Sequence, residues 1–336
     1  MTLLLELIIF IVSMFILSKA SHTLIKSSVK IARITKLGEL TIGFLLLSVA
    51  TTLPEFAVSI SAMLSEDVGI SIGNLLGSNI TNICLLIGLM GLIHPIRIAE
   101  KTLMRLSEIL SLSGFILIML LVINPLSRLI GVVLLFLFVV FSLYSVKKKI
   151  TLEIKLENTL NFLPKFIFPP KFYKPLFFLI IGLVLVIGSS WFVVNSASNI
   201  ASILGIAESI IGATIIALGT SLPELSTVLT ASREGHTKLG LGNAIGACLT
   251  NLTLVLGFIL ILTPFKIDME VFATLVIFVL ISNTLLWFFI GSLGRKKLER
   301  KEGMILLIVY ILFLIATFSL TVPGLGYFSL ILKLWK

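Results

Sequence analysis

Two hexapeptides, TTLPEF at Thr51–Phe56 and TSLPEL at Thr220–Leu225, each set hydroxyls, a proline and a glutamate inside an apolar run. Pro54 and Pro223 lack an N–H and clash with the carbonyl four residues back, so Ala50 and Gly219 lose their intrahelical donors. Those freed carbonyls join the hydroxyls of Thr51, Thr52, Thr220 and Ser221 and the carboxylates of Glu55 and Glu224. The result is a set of hard oxygen donors with two negative charges, which suits Na⁺ or Ca²⁺ and poorly suits zinc or copper. A charged side chain near the centre of a bilayer costs on the order of 3 kcal/mol even on a lenient insertion scale, so such residues default to functional candidates. Other acids sit near the ends of apolar runs; Glu55 and Glu224 alone lie deep. Protonated glutamates capping local backbone would not require a symmetric pair.

A second pair of segments supplies further ligands. GNLLGSNITN, Gly73–Asn82, is matched by GNAIGACLTN, Gly242–Asn251. Gly73, Gly77 and the spacing from Ser78 to Asn82 put small residues on one helical face and two polar groups one turn apart. Small residues permit close approach to the broken helix. Ser78, Asn82 and Asn251 are then expected to aim oxygens at the glutamates, while Thr81 and Thr250 face backbone or packing partners.

The elements that position these residues are membrane helices. Hydrophobic residues make up 58% of the chain and charged residues 12%, about half the charged share of a soluble domain. Runs such as 176–194 and 304–320 approach the ~20 residues that cross ~30 Å of hydrocarbon, and they lack the period-two alternation of barrel strands. The expected fold is an all-α polytopic membrane protein. Ten spans fit: 3–18, 40–63, 70–93, 103–122, 129–146, 175–194, 207–231, 239–262, 270–291 and 303–321. The start carries Glu6 and no basic stretch, so a retained first helix is expected rather than a cleaved signal. Cys84 and Cys248 fall in apolar helices and suggest neither disulfide nor zinc site. His22, His94 and His236 sit singly near helix ends as interfacial polar residues.

Sliding the chain on itself by 169 residues aligns 43–88 with 212–257 without a gap, and 13 of 46 positions are identical, among them Pro54, Glu55, Gly73, Asn74, Gly77 and Asn82. Each copy lies in a unit of five spans, residues 1–146 and 175–336. Five is odd, so the second unit enters the membrane in the opposite sense, the inverted-repeat plan of many secondary transporters with the site at the midplane. Residues 147–174 read as a basic, proline-bearing cytoplasmic linker. The net charge of +10 is a topology signal rather than a nucleic-acid footprint: 22 of 26 Lys and Arg fall in odd-numbered connections. That split places those connections and the linker in the cytoplasm and both termini outside, with some contact to anionic lipid.

At these residues the sequence resembles the sodium/calcium exchangers of the cation/Ca²⁺ antiporter superfamily, whose repeats read close to G-T-S-L-P-E followed by G-N-x-x-G-S-x-x-x-[ND]. The resemblance implies exchange of Ca²⁺ against Na⁺ by alternating access, with four cation sites in a diamond between the repeats and no cofactor. It places side-chain ligands on Thr51, Thr52, Glu55, Ser78 and Asn82, and on Thr220, Ser221, Glu224 and positions 247 and 251. Backbone carbonyl ligands fall on Ser48 and Ala217. Ala50 stands where the family has Gly, Ala247 where it has Ser, and Asn251 where archaeal members often carry Asp. One hydroxyl and a third carboxylate are therefore missing, which leaves the stoichiometry open.

Sharing of Glu55 and Glu224 between one Ca²⁺ and a set of Na⁺ would enforce exchange, because the emptied site leaves two unpaired charges in a low-dielectric cavity. The first and sixth spans, the latter with Gly182 and Gly188, are expected to slide against the remaining bundle. The expectation is Ca²⁺ extrusion across the cell membrane by a monomer that is not an enzyme. A proton/Ca²⁺ exchanger is the nearest rival, since buried glutamates can carry H⁺; that branch has an acid soon after the Gly-Asn, and neither repeat has one here. A passive cation channel would need no inverted halves. An intramembrane hydrolase with paired carboxylates fits poorly with Pro-Glu flanked by hydroxyls.

Overall fold

In hydrocarbon the backbone N–H and C=O groups have only one another as partners, so apolar runs of this length fold as helices. A computed structural model of the chain describes residues 3–34, 48–93, 96–97, 100–122, 127–153, 173–233, 235, 237–263, 269–291 and 297–319. The expected start of the second span and of the first repeat, most of the linker, His94 and His236 lie outside these residues.

Helix α1 covers Leu3–Ile34. The first signature is carried by α2, Ser48–Thr51, and α3, Leu53–Leu64. The Gly-Asn segment lies on α4, Val68–Ile80, which runs through a π-helical stretch at Thr81–Ile87 into α5, Gly88–Ile93. Helices α6, Glu100–Val122, and α7, Arg128–Glu153, complete the first half. The second half opens with α8, Tyr173–Leu204. The second signature follows on α9, Glu208–Ile211, a π-helical stretch at Gly212–Ile216, α10, Ala217–Thr220, and α11, Leu222–Arg233. Then come α12, Thr237–Thr250, a π-helical stretch at Asn251–Val255, α13, Leu256–Leu262, α14, Met269–Gly291, and α15, Arg300–Ser319.

Six described helices are long and apolar enough to cross a membrane, or seven if the bent pair of Glu208–Thr220 and Leu222–Arg233 counts as one. That is fewer than the ten spans expected. The remainder are shorter apolar helices, Leu53–Leu64, Leu106–Leu120 and Arg128–Leu143. Helices also outrun the apolar stretches that announced them. Hydropathy stops α1 at residue 18, but its basic continuation stays helical to Ile34, and α7 continues into the expected linker as far as Glu153. Lys, Ile, Leu and Glu all favour helix, so leaving hydrocarbon does not end the helix.

Two apolar clusters hold the bundle. The larger joins α4–α7 with α11–α15; the smaller joins α1 and α8 with Ala50, Val58, Ala62 and Ile70. Helices α1 and α8 pack against each other along their length. Helix α15 shows how the outer surface arises. Leu306, Tyr310, Phe313 and Thr317 form its buried stripe, and Met304, Ile308, Ile311 and Ile315 an exposed apolar one, which suits hydrocarbon as the outer solvent. One departure from an all-α chain is a two-residue antiparallel pairing, β1 at Ile96–Arg97 with β2 at Lys297–Leu298.

Candidate cation site

The two signatures break their helices at matching positions. Thr52, between α2 and α3, has φ −79° and ψ 0°; Ser221, 169 residues on, has φ −81° and ψ 4°. Both lie in the sparsely populated bridge region. The break is one residue wide in each copy, with proline second in the helix that follows. At the second break the axis bends by 43°. Backbone bonding resumes at once, Phe56 N donating to Thr52 O and Leu225 N to Ser221 O. The Ser48 and Ala217 carbonyls keep helical donors, Thr52 N at 3.0 Å and Ser221 N at 3.1 Å, and each also lies 3.3 Å from a threonine hydroxyl, that of Thr51 and of Thr220.

All the side chains singled out from the sequence are buried: Thr51, Thr52, Glu55, Ser78, Asn82, Thr220, Ser221, Glu224 and Asn251, with Ser48 and Ala217 beside them. Contacts between the repeats tie several together. Ser221 Oγ donates to Glu55 Oε1 at 3.2 Å, and Ser78 Oγ lies 3.5 Å from Thr220 Oγ1. Glu224 lies within reach of the charge of Glu55. Thr52 turns away, its hydroxyl donating to Val49 O at 3.2 Å. Thr250 Oγ1 is committed to Gly246 O at 2.8 Å, and Thr81 neighbours Tyr310.

The unpaired atoms define the chemistry. Glu55 Oε2, both carboxylate oxygens of Glu224, both amide atoms of Asn82 and Asn251 Oδ1 are buried without a hydrogen-bond partner among the described residues. Buried polar atoms are normally satisfied. This set is rich in carboxylate and amide oxygens, the complement of a hard cation. Among the described residues no group of three or more His, Cys, Asp or Glu forms a metal cluster; the donors are two carboxylates supplemented by neutral oxygens.

Three asparagines not assigned as ligands complete the site. Asn74 Oδ1 accepts from Thr220 Oγ1 at 3.1 Å, and its Nδ2 donates to Glu55 O and Ser59 Oγ, each at 3.2 Å. Asn243 Oδ1 accepts from Thr51 Oγ1 at 3.3 Å. Asn79 Oδ1 accepts from Asn251 Nδ2 at 3.2 Å, fixing the amide of that residue with its own Oδ1 unpaired. The identity of Asn74 and Asn243 across the repeats was the signal for the first two. No sequence signal marked the π-helical stretches that place Asn82 and Asn251 at matching positions, although π-turns concentrate at functional sites.

Gly73 and Gly77 bring α4 against the broken helix of the other repeat, as the spacing predicts. A Cβ on either would run into the backbone of Ser209 or Ala213. Gly188 differs, since a Cβ there would meet open space.

Residues 5–147 and 174–319 match the family model described as sodium/calcium exchanger protein. This chain belongs to the sodium/calcium exchanger family. The exchanger MaX1 of Methanosarcina acetivorans is 30% identical, with 93% of this chain and 98% of that protein covered. The inner membrane protein YrbG of Escherichia coli is 34% identical over 260 residues, 77% of this chain and 80% of its own. A solved structure of the sodium-calcium exchanger NCX_Mj matches with a TM-score of 0.65 at 29% identity, covering 93% of this chain and 98% of that one. The chain is thus an integral membrane antiporter of the sodium/calcium exchanger family, and its family is one of transporters.

Proposed function

We propose that the protein exchanges Ca²⁺ for Na⁺ by alternating access, with Glu55 and Glu224 shared between one Ca²⁺ and competing Na⁺, and that it extrudes Ca²⁺ across the cell membrane. The observation that carries this reading is the set of unpaired carboxylate and amide oxygens of Glu55, Glu224, Asn82 and Asn251, buried together between two repeat-related breaks. Thr51, Thr220, Ser221 and Ser78 supply neutral oxygens beside them, the Ser48 and Ala217 carbonyls lie against the Thr51 and Thr220 hydroxyls, and Thr52 would join on rotating its hydroxyl. The names of MaX1 and NCX_Mj support Na⁺ and Ca²⁺ as the substrates.

Ten spans in two inverted halves, with the termini outside and 147–174 in the cytoplasm, belong to the same proposal. Connections assigned to one side meet there. The third and ninth pair as β1 and β2, and the second and sixth meet where Ser198 Oγ reaches Glu208 Oε1 at 2.9 Å and Asp67 Oδ1 at 3.5 Å. The packing of α1 and α8 along each other, on an apolar cluster distinct from the larger one, supports their movement as a unit against the remainder. The site is complete within one chain, which supports function as a monomer.

The test is ⁴⁵Ca²⁺ uptake into proteoliposomes loaded with Na⁺, with and without a pH gradient. Uptake that requires internal Na⁺ and ignores the gradient is the expected result. Uptake that follows the pH gradient and ignores Na⁺ would instead establish proton/Ca²⁺ exchange, with Glu55 and Glu224 as proton carriers.

A further inference from the structure

We infer that Asn74 is a positioning residue for cation binding. It holds the proton of the Thr220 hydroxyl away from the site, so that the oxygen presents its lone pairs to the ion; Asn243 does the same for Thr51. The inference rests on the proposed cation site and adds two residues that do not themselves touch the ion.

A hydroxyl is an ambivalent ligand. It has one proton and two lone pairs, and beside two carboxylates its proton is drawn toward the negative charge. A hydroxyl that donates into the site points the wrong end of its dipole at a cation. Ligation therefore needs an acceptor behind the hydroxyl that takes up the proton.

Asn74 provides that acceptor for Thr220, and its own orientation is determined. Its Nδ2 lies 3.2 Å from the backbone carbonyl of Glu55. A carbonyl can only accept, so the amide must turn its NH₂ to Glu55 and its Oδ1 to Thr220. At 3.1 Å from Thr220 Oγ1 that oxygen leaves the hydroxyl one role, as donor. The amide thus ties the carbonyl of one ligand-bearing break to the hydroxyl of the other across 146 residues of sequence, and all three residues are fully buried.

Other acceptors within reach are the Ala217 carbonyl for Thr220 and the Ser48 carbonyl for Thr51, each at 3.3 Å, and the carboxylates of Glu55 and Glu224 respectively. Both carbonyls already accept a helical N–H bond. Without the asparagine, the hydroxyl turns its proton to one of these acceptors, and a proton turned to the carboxylate side faces the ion, so the hydroxyl loses its fit to the cation.

The two copies differ in their support. Ser59, which bonds Asn74 Nδ2, corresponds to Val228 in the second repeat, and Asn243 Nδ2 has no partner among the described residues. Among the described residues, Asn243→Ala gives up one side-chain bond, whereas Asn74→Ala gives up three.

The experiment is a double-mutant cycle on initial ⁴⁵Ca²⁺ exchange rates in proteoliposomes, normalised to reconstituted protein. Asn74→Ala should raise half-saturating Ca²⁺ about five- to tenfold, the scale of one hydrogen bond to a ligand. In a Thr220→Val background, where no hydroxyl remains to orient, Asn74→Ala should add nothing. Additive effects, or a lower maximal rate at unchanged half-saturation, would mark Asn74 as a packing residue and overturn the inference. If Asn74→Ala does not yield folded protein, Asn243→Ala with Thr51→Val carries the same cycle. Glu55→Gln run in parallel separates the two levels. Full uptake in that variant overturns the cation site itself, whereas its loss combined with an additive cycle overturns the asparagine inference alone.

Discussion

Glu224 has two buried carboxylate oxygens with no hydrogen-bond partner among the described residues, whereas Glu55 has one oxygen engaged by Ser221. The repeat equivalent of Ser221 is Thr52, whose hydroxyl turns to Val49 O instead. An unpaired buried charge costs several kcal/mol, and in the proposed site a bound cation would remove that cost. Glu224→Gln should therefore reduce Ca²⁺ uptake by roughly 100-fold or more, the scale of losing a desolvated charge interaction, and should also remove Ca²⁺-dependent thermal stabilisation of the purified protein. Retained stabilisation by Ca²⁺ would place the ion elsewhere. Ala247 tests the neutral donors. It is fully buried at the position of Ser78 in the other repeat, so Ala247→Ser adds a hydroxyl where one is missing. Half-saturating Na⁺ should fall several-fold, on the scale of one added hydrogen-bonding ligand; an unchanged value would mean that the added oxygen does not reach the ion.

At the scale of elements, the site depends on how closely α4 approaches the broken helix that contains α9 and α10. Gly77 meets the backbone of Ala213 there, and backbone cannot move aside as a flexible side chain can. Gly77→Ala should force the two helices apart at a cost of about 1–3 kcal/mol, seen as a lower melting temperature and weaker cation affinity together. Gly188→Ala, in open space on α8, serves as the control that leaves both unchanged.

The turn between α3 and α4 contributes a pH dependence. Burial, and next the charge of Glu208, push the Asp67 carboxyl up to about 6, against ~4 in an unfolded chain. Between those values the folded protein binds more protons than the unfolded one, so stability falls as pH rises from about 4 to about 6 and levels off above. Asp67→Asn should flatten that segment of a melting-temperature profile. A profile identical to that of the unmutated protein would show that Asp67 is not the titrating group.

At the scale of the molecule, the proposed alternating access would move α1 and α8 relative to α3. Ser61 on α3 and Ser190 on α8 place their hydroxyl oxygens 3.1 Å apart across that interface. Cysteines at both positions would stand within bonding reach. The oxidised Ser61→Cys, Ser190→Cys protein should lose exchange and regain it on reduction, measured in the same proteoliposomes. Exchange that persists under oxidation, with the crosslink verified, would rule out motion at this interface as part of transport. At their shared end α1 and α8 are joined by Asn199 Nδ2 donating to the buried Glu6 at 2.9 Å, which suits two helices that travel together.

The sequence by itself determined the class of molecule, the family and the residues most exposed to chemical demand. Hydropathy is a sum over neighbouring residues, and a repeat is a comparison of positions along the chain, so both are legible without coordinates. A Glu beside a Pro in an apolar run is equally plain, because its cost is local. Tertiary structure decided what depends on residues far apart. It placed the breaks at Thr52 and Ser221 within one site, set Asn74 behind Thr220, and brought Asp67 beside Glu208. It also carried α1 to Ile34 and opened the π-helical stretches beneath Asn82 and Asn251. Propensity extends a helix past the edge of its apolar run, and packing against a neighbour selects a wide turn; neither leaves a mark in hydropathy. Two hydrogen-bonding groups separated by some 146 residues, as Asn74 and Thr220 are, acquire their relation only when the helices between them have packed.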